Sequence, residues 1–224
     1  MSSRPVVALD VNETLLDLSA LDPIFTAAFG SPSLRTAWFA QMLQLALVAT
    51  ITDRYLDFTS AQRASLEMLA TRHGPPEAME HADELLGAMR RLPAHPDVRG
   101  GLARLREAGF RLAALTNSPR DVALDQLGNA GILDLLEETV SADEVHRLKP
   151  AADAYHLVAQ RMDVPVDGVM LVAAHAWDVS GALAAGCRAA FIRRSGAVPA
   201  PVGPQPELVL ADIEELAQAL LLRS

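Results

Sequence analysis

Short apolar runs alternate with amphipathic stretches over most of this chain, and that alternation leaves few folds open. After Pro96, Val98 to Ala108 is amphipathic and stops at Gly109, and Arg111 to Leu115 reads as a buried strand running into Thr116-Asn117-Ser118-Pro119. Asp121 to Ala130 is helical and closes at Gly131, Thr139 to Ser141 is a short strand, and Ala151 to Met162 is helical again. Val169 to Val172 (strand), Val179 to Ala185 (helix), Ala189 to Ile192 and Leu208 to Leu210 (strands) and Ile213 to Leu222 (helix) continue the pattern. At the other end, Val6-Val7-Ala8-Leu9 follows Pro5 as one more apolar run. Such runs are strands buried on both faces. Strands separated by helices pair in parallel through crossovers, so the predicted fold class is α/β with a doubly wound parallel sheet.

One long segment breaks the alternation. From Ser19 to about Arg91 there is no strand signal: Leu21, Ile24, Phe25, Ala28 and Phe29 recur at helical spacing, followed by Trp38 through Tyr55, Ala61 to His73 and Pro76 to Arg91. Those are four helices. Gly74-Pro75-Pro76 and Leu92-Pro93-Ala94-His95-Pro96 are helix stops, and the second marks a domain boundary. The expected division is an α/β core from 1–17 and 94–224 and an inserted helical domain at 18–93. Gly196 to Pro206, rich in Pro and Gly, reads as a flexible loop.

Composition narrows the function. With 224 residues, 50% of them hydrophobic and 21% charged, the chain fills a complete core and a sizeable insertion. A net charge of -9, with 19 Lys and Arg and no basic stripe, argues against a nucleic-acid surface. Cys187 is the one cysteine, which excludes an intrachain disulfide and a thiolate metal cluster and fits a reducing compartment. No basic segment followed by an apolar core opens the chain, and Met42 to Ile51, the longest helical apolar stretch, reads as too short to span a bilayer. A cytoplasmic location without membrane contact is expected.

Polar clusters fall at four strand ends: Asp10 to Thr14, Thr116-Asn117-Ser118, Lys149-Pro150, and His175 to Asp178. Ligands in open α/β sheets bind beyond the carboxyl ends of the strands, which puts Asp10 where a carboxylate can attack a substrate. Taken alone, Asp10 is read equally well as the cap of a following helix.

In this order and spacing the clusters resemble the haloacid dehalogenase superfamily over nearly the whole chain, and within it the hydrolytic 2-haloacid dehalogenases called type II. The resemblance implies a Rossmann-like catalytic core at 1–17 and 94–224 with the helical domain at 18–93 as its inserted cap, and gives each cluster a role. Asp10 becomes the nucleophile, whose carboxylate forms an ester on the substrate carbon that water then hydrolyses. Thr14 holds that carboxylate or is an ordinary helix-start hydroxyl. Thr116, Asn117 and Ser118 receive the substrate carboxylate, and Val11 and Asn12 lie beside it. Lys149 keeps the nucleophile ionised. Tyr155 joins the same polar cluster or is a core residue with its hydroxyl satisfied. Asp178 pairs with Lys149 and positions water; it ends Ala173-Ala-His-Ala-Trp-Asp178, where the family has Ser-x-Asn-Ala-Trp-Asp. Trp177 walls the pocket or packs the core, and the cap contributes Trp38, Phe39 and Phe58 as an apolar wall.

Departures from the family pattern sharpen the chemistry. Phosphatases of the superfamily carry a second aspartate two positions after the nucleophile, as acid toward the leaving alkoxide; here that position is Asn12. A halide needs no such proton. The 173–178 loop lacks the adjacent acids with which the phosphatases hold magnesium, and Lys149 competes with any cation between Asp10 and Asp178. The expectation is catalysis with no metal and no cofactor. The family's halide-holding arginine follows the tryptophan of a Trp-Arg pair, and here the pair is Trp38-Phe39. His175 stands where the family has Asn, as a base for the hydrolytic water or a hydrogen-bonded stand-in for the amide. The expected reaction converts a small 2-haloalkanoic acid to the 2-hydroxy acid with inversion, the partners being that acid, water and a second copy of the chain in a homodimer. Hydrolysis at another carbon electrophile, a magnesium-dependent phosphatase and a non-catalytic member of the fold are the alternatives.

Overall fold

The computed structural model describes residues 4–223, so residues 1–3 and 224 of the expected core lie outside the described residues. Six parallel strands form one sheet: β1 (Val6–Asp10), β2 (Leu112–Thr116), β3 (Glu138–Ser141), β4 (Val169–Ala173), β5 (Arg188–Ile192) and β6 (Leu208–Leu210), in the order β3-β2-β1-β4-β5-β6. Every residue of β1, β2 and β4 is buried, as expected of uninterrupted apolar runs covered on both faces. The chain fills one side of β1 first and then the other, so the strand order reverses between β1 and β4, where such sheets place their ligand sites. The register sets Asp10 beside Leu115 and Leu9 beside Val172, which brings the loops after β1, β2 and β4 to one edge.

Four helices separate β1 from α5 (Val98–Glu107): α1 (Asp22–Phe29), α2 (Leu34–Ile51), α3 (Phe58–His73) and α4 (Ala82–Met89). The chain enters and leaves this segment side by side, the amide of Asp17 donating to the Pro93 carbonyl (2.8 Å) and that of His95 to the Leu15 carbonyl (2.9 Å). After β2 comes α6 (Arg120–Asn129), after β3 α7 (Ala152–Arg161), after β4 α8 (Ala176–Ala184), and α9 (Ile213–Leu221) follows β6.

Three local expectations are corrected. The Pro76 to Arg91 stretch is a 3-10 turn, Pro76–His81, that leads into the shorter α4, a common way for a helix to begin after prolines. α8 begins three residues earlier than the sequence pattern suggests, which puts Trp177 and Asp178 in its first turn. α2 is 18 residues, long and apolar enough by length and composition to cross a bilayer, against the expectation of too short a stretch. In this fold it packs on protein: Trp38, Phe39, Met42 and Ala46 are buried, and Arg35 pairs with Asp22 at 2.6 Å.

Candidate active site

Asp10 ends β1 and is almost wholly buried. The following loop curls back on itself, the amides of Leu15 and Leu16 both reaching the Val11 carbonyl (2.9 and 3.0 Å), and the curl carries Thr14 over the strand end. Thr14 Oγ1 donates to Asp10 Oδ2 (2.6 Å) and accepts from the amide of Ala174 (2.9 Å), tying the loop after β1 to the loop after β4. Arg194 clamps the same loop from behind, bonding the Thr14 carbonyl (2.9 Å) and Asp97.

Lys149 comes from the loop after β3, in a position fixed by Asn117, whose Oδ1 accepts from the Lys149 amide (2.7 Å). Its ammonium is fully buried and uses all three hydrogens: Asp10 Oδ1 at 2.7 Å, Asp178 Oδ2 at 2.6 Å and the Leu115 carbonyl at 3.0 Å. Tyr155 donates to Asp178 Oδ1 at 2.7 Å. Burial alone would raise the carboxyl of Asp10, but the Lys149 ammonium and His175 outweigh it and hold the group well below the usual carboxylate range. Burial would lower the Lys149 ammonium, and the two carboxylates reverse that and push it up. Burial and the nearby Asp10 charge leave Asp178 above its ordinary value, the better to take a proton.

His175 reaches Asp10 Oδ2 through Nδ1 (3.0 Å) and Glu13 Oε2 through Nε2 (2.9 Å). Burial would lower its affinity for a proton, but the two hydrogen-bonded carboxylates raise its pKa to about 9. An imidazolium has no lone pair to accept a proton, so the expected base role does not suit this ring. Phe39 and Trp177 stack on it, with centroids 5.6 and 5.4 Å away.

Above Asp10 lies a pocket lined by Asn12, Thr116, Asn117, Lys149, His175 and Trp177 from the sheet side and by Phe39, Leu43 and Phe58 from α2 and α3. It is closed to about 10 Å³, room for about one water. A larger cavity of about 750 Å³ lies on the other side of His175 and Glu13 and is lined by Arg35, His95, Arg193 and Arg194 among others. His175 borders both.

The structure thus gathers Asp10, Thr14, Lys149, Tyr155, His175 and Asp178 into one hydrogen-bonded cluster, with Asn12, Phe39, Thr116, Asn117 and Trp177 around the pocket. Three expected pocket residues stand elsewhere. Trp38 is in the helical core, its indole N–H on the Gln62 carbonyl (3.0 Å) and its ring 5.5 Å from Phe25. Val11 is buried away from the pocket, and Ser118 lies behind Asn12, whose amide donates to its hydroxyl (3.4 Å). Glu13, Leu43 and Arg35 were not foreseen. Leu43 carries a readable signal, one helical turn after Phe39, whereas Glu13 needs its contact with His175 to be noticed.

The magnesium of related phosphatases does not fit this donor set. Lys149 Nζ already stands between the two carboxylates such an ion would bridge, and among the described residues no three His, Cys, Asp or Glu side chains converge as a metal site.

A family model described as a haloacid dehalogenase-like hydrolase matches residues 5–186. The chain belongs to that family. Among curated relatives of this haloacid dehalogenase-like hydrolase, (S)-2-haloacid dehalogenase 1 of Pseudomonas sp. strain CBS-3 is 29% identical over 95% of this chain and 94% of its own. Haloacetate dehalogenase H-2 of Moraxella sp. strain B is 26% identical over 98% and 99%. The structure of L-2-haloacid dehalogenase from Xanthobacter autotrophicus with chloropropionic acid covalently bound superposes with a TM-score of 0.88 at 24% identity, covering 99% of both chains. A dehalogenase solved with an intermediate complex gives 0.90 at 25% identity, covering 98% of both.

Proposed function

We propose that this hydrolase converts a small 2-haloalkanoic acid to the 2-hydroxy acid through an ester on Asp10. The observation that carries the reading is the buried carboxylate of Asp10, hydrogen-bonded to Lys149 at the floor of a pocket walled by Phe39, Leu43, Phe58 and Trp177, with an amide at position 12. Asn12 is engaged on both sides, its Oδ1 accepting from Gln126 (3.1 Å) and its Nδ2 donating to Ser118, and it offers no acidic proton to a departing alkoxide. A halide leaves without one. The relatives' names, for dehalogenases of 2-haloacids and of haloacetate, support the same substrate class. Trp177 lines the pocket, and its buried indole N–H, without a hydrogen-bond partner among the described residues, is assigned as the donor to the halide, whose usual arginine is replaced by Phe39.

Each side chain then has a task. Thr14 and Lys149 hold the nucleophile; Thr116 and Asn117 receive the substrate carboxylate; Asp178, steadied by Tyr155, takes the proton of the hydrolytic water. The helices of 18–93 work as a cap whose Phe39, Leu43 and Phe58 must give way to admit substrate and then close over it, excluding bulk water. Exposed Val48, Ile51 and Tyr55 on and just beyond α2 support pairing of two chains through the cap, and the single buried thiol of Cys187 supports a reducing, cytoplasmic location.

The test is a single turnover of 2-chloropropionate in heavy-oxygen water with EDTA present. Chloride release is expected to be unaffected by the chelator, the first 2-hydroxy acid to be unlabelled, and heavy oxygen to appear in the peptide containing Asp10. Label going directly into the first product, or chloride release that needs the metal, overturns the reading.

A further inference from the structure

We infer that His175 and Thr14 form the oxyanion hole for hydrolysis of the Asp10 ester, with Glu13 as the positioning residue that holds the imidazole. The inference rests on the ester route proposed above and begins with a count of lone pairs. Each carboxylate oxygen accepts about two hydrogen bonds. Asp10 Oδ2 already takes two, from Thr14 Oγ1 (2.6 Å) and His175 Nδ1 (3.0 Å), whereas Oδ1 takes one, from Lys149 (2.7 Å). Oδ1 keeps a lone pair for attack on the substrate carbon. Oδ2 becomes the carbonyl oxygen of the ester, and it is born between two donors.

The hydrolytic step follows in balance. Water oxygen bonds to Asp10 Cγ, the carbonyl electron pair moves onto Oδ2, and the water proton passes to the Asp178 carboxylate. On collapse the Cγ–Oδ1 bond breaks. Oδ1 departs as the 2-hydroxyl oxygen with a proton from Lys149, its hydrogen-bond donor, and Lys149 recovers one from Asp178. Asp10 is left as a carboxylic acid that ionises to solvent. Negative charge therefore develops on Oδ2, where the donors already point, and preorganised donors of this kind act where charge appears.

Three further features converge on His175. Both its nitrogens face carboxylates, which accept only, so both must carry hydrogen and the ring is an imidazolium donor. Phe39 and Trp177 stack on it and restrict its plane. Glu13 holds the far nitrogen from a left-handed backbone conformation (φ 62°) that a residue with a Cβ seldom adopts. Arg35 approaches the other Glu13 oxygen at 3.5 Å, and His95 Nε2 lies 3.2 Å from the Glu13 carbonyl. The charged groups around the ring are thus Asp10 and Glu13, with Lys149 beyond the first and Arg35 beyond the second. His175 also borders the 750 Å³ cavity.

The test separates the two chemical steps with 2-chloropropionate in rapid-quench experiments on wild type, His175→Gln and Glu13→Gln. In His175→Gln we expect one equivalent of chloride still to be released in a burst, then hydrolysis slowed by about 10²–10³-fold, with the ester accumulating on the Asp10 peptide by mass spectrometry. Glu13→Gln is expected to keep the burst and to move the alkaline fall of the hydrolysis rate, set in the ester by the Glu13 carboxylate now that Asp10 is neutral, down by at least about one pH unit. A merely structural role would not move that limb. Hydrolysis as fast as wild type in His175→Gln, or loss of the burst with no ester formed, overturns the inference and leaves the ester route standing. Should His175→Gln fail to fold, an unmoved limb in Glu13→Gln overturns it alone. Absence of chloride release in wild type overturns both readings.

Discussion

At the scale of single residues, the cluster around Asp10 is a chain of alternating charges: Glu13, His175, Asp10, Lys149, Asp178. Each buried charge is tolerable only because its neighbours are opposite, and this makes stability depend on pH in a defined direction. His175 binds its proton more tightly folded (pKa about 9) than unfolded (6.5), so its contribution is complete below pH 6.5 and is lost as the pH rises toward 9. The shift corresponds to roughly 3 kcal/mol. Urea unfolding followed from pH 6 to 9.5 is expected to show that alkaline loss in wild type and a much smaller one in His175→Gln; equal slopes in both would refute the assignment. Asp10 was legible as the end of an apolar run, whereas Thr14, Lys149 and Asp178, in the loops after β1 and β3 and in the first turn of α8, were assigned through the family resemblance. Glu13 was not legible. Its role depends on a left-handed φ and on a histidine far along the chain, and neither leaves a periodic trace. The replacement of Asn by His at 175 and of Arg by Phe at 39 read as two separate departures, yet the fold stacks these side chains on each other.

At the scale of elements, strand positions were read to within a residue, because a buried parallel strand is a continuous apolar run and little else resembles one. Helix phase was harder. Trp38 and Phe39 are adjacent on α2, and only one of two neighbours on a helix points at a given target: Phe39 meets the pocket while Trp38 packs against Phe25. Amphipathic spacing gave the helix without saying which part of its apolar stripe faces the site. The early start of α8 has a packing consequence that sequence does not display. Gly181 lies on α8 where a Cβ would come within 2.6 Å of the Tyr155 hydroxyl and nearer still to Pro150. Glycine is what lets α8 approach the Lys149 loop closely enough for Tyr155 to reach Asp178. Gly181→Ala is therefore expected to cost about 1–3 kcal/mol in urea unfolding and to slow ester hydrolysis by displacing Tyr155. A double-mutant cycle with Tyr155→Phe checks the route: the activity losses should fail to add, and full additivity would mean that Gly181 acts elsewhere.

At the scale of the whole molecule, the chain carries a net charge of -9, and its proposed substrate is an anion. The cluster offers little local relief, since Asp10, Glu13 and Asp178 oppose Lys149 and His175 and leave one negative charge in excess, with Arg35 shared between Glu13 and Asp22. In the larger cavity Arg35 and Arg194 are already bound to Asp22 and Asp97. An approaching 2-haloacid thus meets a repulsive long-range field, and recognition must come from short-range hydrogen bonds at the strand ends. Salt screens the first and barely touches the second, since the Debye length falls from about 30 Å at 0.01 M to about 10 Å at 0.1 M. Over that range kcat/KM for 2-chloropropionate is expected to rise about twofold while kcat stays constant, with sodium sulfate as the screening salt so that no added halide competes for the pocket. A fall in kcat/KM would mean that cations lining the larger cavity, Arg193 among them, steer the substrate in, and charge reversal at Arg193 would then lower the low-salt rate and flatten its dependence on salt.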